Sequence, residues 1–171
     1  MRIATLAIVT LLTATGCSAY SLASPKVPPI PAFGPVARTD VATVCVVRPS
    51  HFALLVTFVV HDNEQLVGAT RGESYFCYFA QPGRHEIVSS TGDSADEEGG
   101  VGIVAQAGRR YWLHQDYDNN LGSVTSRLLA IDEARARDFV EDEGCEYRTL
   151  TAVPREENAP PPGPTPVAAA R

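Results

Sequence analysis

"SYFCYFAQPGRHEIVSS", residues 74–90, decides the fold. Its first seven residues are mostly aromatic, which favours a strand. "QPGR" (81–84) supplies turn chemistry, and "HEIVSS" (85–90) runs back. Alternation puts Tyr75, Cys77 and Phe79 on one face, with Phe76 and Tyr78 on the other. Both faces carry rings. Either one face is core and the other is covered surface, or one set is exposed and grips a sugar or a protein.

The same texture extends both ways. Upstream stand "VATVCVVR" (41–48), "LLVTFVV" (54–60) and "LVGA" (66–69), with Asp62-Asn63-Glu64 as a hairpin turn lacking the favoured glycine. Downstream stand "VGIVAQA" (101–107), "RRYWLHQDY" (109–117) and "SVTSRLLAI" (123–131), separated by Gly108 and "DNNLG". Short strands at this spacing predict a mainly β, antiparallel sandwich or barrel. One helix interrupts them. Asp132 caps it, Glu133 suits its first turn, and Ala136, Phe139 and Val140 form an apolar stripe. Glu133 and Arg137 make an i,i+4 pair, and Gly144 stops the helix, which should pack on the sandwich. "EYRTL" (146–150) adds a last strand.

The flanks differ in composition. Arg2, an apolar run from Ile3 to Leu12 and small residues after it read as a targeting segment, too short to span a bilayer. "ATGC" (14–17) resembles the lipobox of bacterial lipoproteins, with Ala14 in place of the usual Leu. That resemblance implies a signal peptide over 1–16, cleavage before Cys17 and acylation of Cys17, palmitate included. The partner it implies is membrane lipid. Ser18, in place of Asp, resembles an outer-membrane sorting signal, so the domain would face the periplasm. Residues 17–38 follow as a lipid-anchored linker. With five prolines in 18–38, it reads as an extended tether that reaches about 65 Å. Residues 154–171 hold six prolines and read as a disordered tail. The globular part is therefore expected over 39–153, long enough for its own core.

Within it, "VVHDNEQLVGAT", "YFCYFAQPGRHEIVSS" and "VAQAGRRYWLHQ" resemble an uncharacterised domain family of small bacterial lipoproteins. Pro82-Gly83, His85, Ala107-Gly108 and Tyr111 stand at that family's recurring positions. The resemblance implies a prealbumin-like β-sandwich in the cell envelope and carries no catalytic residue. Three cysteines remain in the domain: Cys45, Cys77 and Cys145. An oxidising compartment implies one disulfide with one thiol left over. The prealbumin-like resemblance favours Cys45–Cys77, since such folds can bring these strands together. Cys77–Cys145 is the rival, and the odd thiol either sits buried or joins two chains.

Chemistry is sparse. The net charge of −6, with scattered Lys and Arg, argues against nucleic acid as a partner. "GDS" (92–94) resembles an esterase nucleophile block, but no histidine follows His114 to serve as its base. "GVGIVA" (100–105) fits a dinucleotide fingerprint on paper, yet it opens a β run rather than a helix. His51, His61, His85 and His114 lack zinc-site spacing, and "DSADEE" (93–98) lacks the order of a calcium loop. No cofactor, metal or catalytic residue is expected. The reading is a non-catalytic binding or structural protein of the envelope, with an envelope protein as possible partner. The alternative is a small-ligand or glycan-binding module.

Overall fold

The computed structural model describes residues 20–52, 54–91, 99–120 and 123–152. The lipobox and Cys17, the "GDS" block, the acidic run and the Pro-rich tail lie outside these residues. By contacts, the chain divides into a unit of Leu22–Thr151 and a unit made of its two ends.

Among the described residues, eleven strands occur in order: β1 (Tyr20–Ala23), β2 (Ala42–Arg48), β3 (Thr57–Asp62), β4 (Gln65–Arg71), β5 (Ser74–Ala80), β6 (Gly83–Ser90), β7 (Val101–Ala105), β8 (Arg110–Asn120), β9 (Ser123–Ile131), β10 (Glu146–Tyr147) and β11 (Thr149–Ala152). One sheet has the order β10-β5-β2-β8-β9 and another β4-β3-β6-β7, while β1 and β11 form a two-stranded sheet. The protein is mainly β.

The sheets are not purely antiparallel, as the spacing had predicted. β2 pairs with β8 in parallel, and β10 with β5 likewise. Parallel neighbours need a crossover, and the intervening strands provide it. After β2 the chain enters the other sheet for β3 and β4 and returns as β5. It crosses again for β6 and β7 and comes back as β8 on the free side of β2.

β2 is buried along its whole length, which makes it the centre of the molecule. The register places Val44, Val46 and Arg48 on one face of its sheet with Phe76, Tyr78, Leu113 and Gln115. These apolar residues share one core cluster with Val60 and Ile87 of the other sheet. Phe76 lies directly over Gly68, where a Cβ would stand 2.2 Å from its ring. A polar strip also crosses the core. Thr70 Oγ1 donates to Gln115 Oε1, Gln115 Nε2 donates to Ser89 Oγ, and Ser89 Oγ lies 2.6 Å from Ser126 Oγ. With partners on both sides, these groups avoid the cost of buried unsatisfied polarity.

The opposite face of the five-stranded sheet carries Cys45, Tyr75, Cys77, Trp112 and His114. Two segments cover it. One is the helix α1 (Glu133–Arg137), capped when Asp132 Oδ1 accepts from Arg135 N at 2.8 Å, and continued by a π-helical turn over Asp138–Asp142. Ala136 and Phe139 are buried, as their spacing predicts, and Glu133 pairs with Arg137 at 3.3 Å. The other cover lies in the Pro-rich stretch. Ile30 and Ala32 belong to the core, and Phe33 stacks on Trp112 at 5.2 Å. Arg110 holds this stretch by donating to Gly34 O at 3.1 Å and Pro31 O at 3.4 Å. Within the stretch read as a tether, Ile30 to Gly34 thus pack against the domain. Prolines forbid helix and ladder but leave the side chains between them free to pack.

A second difference concerns Leu54 and Leu55, expected in a strand over 54–60. β3 begins only at Thr57, and both leucines are exposed in the loop before it.

Candidate functional site

Three polar side chains converge where β3, β5 and β6 end near one another. Asp62 closes β3, Tyr78 lies on β5, and His85 is the third residue of β6. His85 Nδ1 lies 2.7 Å from Asp62 Oδ1 and 2.8 Å from Oδ2, and Tyr78 OH donates to Oδ2 at 2.9 Å. His85 Nε2 lies 2.7 Å from Gln81 O. Carboxylate and carbonyl oxygens only accept, so the two contacts favour the form of His85 in which both ring nitrogens carry a proton. Burial opposes that charge, but the Gln81 carbonyl and the Asp62 carboxylate outweigh it and hold the imidazole pKa above its ordinary value. Burial and the neighbouring carboxylate raise the Tyr78 hydroxyl strongly, so it stays protonated as a donor.

The local backbone explains how this cluster forms. Asn63 and Glu64 both have positive φ, 48° and 68°, the signature of a two-residue hairpin turn of type I′. Asn63 suits this region and also binds β6: its Oδ1 accepts from Glu86 N at 2.9 Å and its N donates to Glu86 O at 2.9 Å. A bulge between Val60 and His61 shifts the β3–β4 register. Bulges of this kind re-aim side chains, and Asp62 lies just beyond this one.

His85 borders a cleft of about 650 Å³ whose walls include Asn63, Arg84, Glu86 and Ile103. Gly100 and Gly102 contribute backbone without side chains to its floor. At the entry to β7, Gly99 has φ 92° and packs so close to β9 that a Cβ would stand 2.5 Å from Ser126 O and Arg127 Cα. The "GVGIVA" stretch is therefore a glycine-rich strand entry, with β7 following directly.

The other residues singled out from the sequence lie apart. Cys45 and Cys77 sit directly opposite each other on β2 and β5, with Cα atoms 4.1 Å apart, and are joined by a disulfide. Cys145 is free and buried, its Sγ 3.6 Å from Arg48 O. Burial pushes its thiol up to about 12. His51 pairs with Glu73 at 3.0 Å on the surface, and His61 is buried on β3. His114 packs against Phe139 at 4.9 Å, and burial lowers its pKa. Among the described residues, no group of three or more His, Cys, Asp or Glu side chains could hold a metal ion. The aromatic strand offers no open platform: Tyr75 and Phe76 are buried, and half-exposed Phe79 lies beneath Arg38 at 5.3 Å.

Sequence reasoning missed the union of Asp62 with His85. The two lie 23 residues apart and meet only through the β3–β6 register. The available signal was weak: each stands beside a turn. No family model matches this chain, and no curated protein or solved structure matches it significantly.

Proposed function

We propose that this chain is a lipid-anchored protein of the cell envelope, held by acylated Cys17 at the outer membrane and facing the periplasm, with a non-catalytic binding or structural role. The observation that carries the role is the state of His85. It is the histidine at the cleft, and both its ring nitrogens are committed to acceptors. While both contacts hold, neither ring nitrogen offers a free lone pair to abstract a proton or to ligate a metal. The cleft beside it then acts as a surface for recognition, with Arg84 and Glu86 as its charged margins.

A prealbumin-like sandwich is the fold we infer for this domain. It is supported by two open sheets contributing to one core, with the first long strand in the middle of its sheet and parallel to a later one. An anchored domain of this kind works by confinement, which raises its effective concentration near an envelope partner.

The test is crosslinking of the tagged chain in native membranes, followed by mass spectrometry. An Arg84→Glu/Glu86→Arg variant and a Cys17→Ala variant serve as comparisons. A stoichiometric envelope protein lost in both variants is the expected result. Capture that persists unchanged in the Arg84/Glu86 variant would remove the cleft from the reading. A Cys17→Ala chain that stays with the membrane would remove the anchor.

A further inference from the structure

The loop between β2 and β3 displays apolar side chains outward. Leu55 is 81% exposed, Leu54 51% and Phe52 43%. The other large exposed apolar residues, such as Val27, Val104 and Leu129, are scattered singly. Single exposed residues need no explanation, whereas three within four positions do. Nor is the display slack. Arg48 is fully buried and stacks on Phe58 at 4.3 Å. Its guanidinium donates to Phe52 O and to Val56 O, each at 2.9 Å. The two carbonyls flank the leucines, so one buried cation clamps both ends of the loop. Phe52 is fixed further by a stack on Tyr117 at 4.8 Å. A buried charge is costly, and here it holds leucines in water.

We infer that this loop is a membrane-contact tip that dips into the bilayer interface next to the lipid anchor. The inference rests on the anchored reading above. Two observations favour lipid over another occupant. First, the compact unit begins at Leu22, five residues after Cys17, which caps the tether at about 18 Å. A unit held that close must turn some surface to the bilayer. Second, residues 49–56 (PSHFALLV) contain no Asp, Glu, Lys or Arg, and the one carboxylate seen against them, Glu73, is paired with His51 at 3.0 Å. The acyl chains hold the domain to the membrane, and the tip fixes its orientation there.

The experiment uses the acylated full-length chain reconstituted in phosphatidylcholine vesicles. Leu55→Trp places a reporter at the tip. Val104→Trp, 64% exposed on β7 of the other sheet, is the comparison, and native Trp112 is buried. Quenchers are brominated acyl chains and aqueous iodide. The expected result is at least twofold quenching of the tip reporter by brominated lipid, with protection from iodide, and neither effect at position 104. If vesicles carry the protein but the tip stays open to iodide, the inference falls and the anchor stands. If the tip is shielded from iodide yet untouched by brominated lipid, its occupant is protein and the inference again falls. If the chain does not float with vesicles at all, both readings fall together.

Discussion

His85 and His114 respond to pH with opposite signs. The folded pKa of His85 is raised, so its contribution is full below the ordinary imidazole value near 6.5 and is lost as pH climbs through the folded value. The folded pKa of His114 is lowered by burial, so its contribution is lost as pH falls below that same ordinary value. Stability should therefore peak near pH 6.5 and decline on both sides. Denaturant midpoints across pH 5–9 would measure this, and His85→Gln should flatten the alkaline arm alone. Glu64 gives a second test at this scale. A glycine at its positive φ removes the Cβ conflict and should stabilise by about 1 kcal/mol in urea unfolding. An unchanged midpoint would mean that Glu64 is not strained.

Among elements, β2 carries most of the consequences. It holds one half of the disulfide and ends in the cation that shapes the next loop. Replacing Cys45 and Cys77 together by alanine should cost roughly 3 kcal/mol, because the bond closes a loop of 32 residues in the unfolded chain. The loss should match that caused by reductant in the native sequence. Arg48→Met keeps the volume but frees the carbonyls of Phe52 and Val56 and should cost roughly 2 kcal/mol by chemical denaturation. Cys145, with its thiol pushed up to about 12, should resist alkylation until the domain unfolds.

These elements also mark how far a sequence can be read. β5 and β9 fall where their aromatic and β-branched runs put them, and the helix starts at Asp132 with the expected cap. Local chemistry governs such features. Leu54 and Leu55 were misread because their apolar run continues into β3 without a break. What removes them from the strand is a guanidinium that reaches back from Arg48. The parallel pairing of β2 with β8 and the Asp62–His85 contact arise only from the way the sheets cross. No local pattern carries that information.

At the scale of the molecule, one face of the central sheet depends on both flanks of the chain. Phe33 lies between Trp112 and the guanidinium of Arg137, 4.2 Å from its ring, which links the Pro-rich stretch, the sheet and the helix. A chain begun at residue 39 would leave Trp112 uncovered. Its indole emission should shift to the red and its melting temperature should fall relative to a chain begun at Leu22. Equal melting temperatures would mean that residues 22–38 are dispensable. Phe33→Ala alone should cost roughly 2 kcal/mol, since it removes one stacked ring from a partly buried site.

The disulfide also sets how the domain answers to force. A protein fastened at one end and bound at the other is pulled along its backbone. Between Cys45 and Cys77 the load passes through two sulfurs and bypasses 32 residues of chain. When the rest of the fold gives way, that loop cannot pay out. At about 3.4 Å per residue it withholds roughly 110 Å of extension. Anchored and bound as proposed above, the oxidised domain would act as a short-stroke link, and reduction would lengthen the slack from β2 to β5 about sixfold.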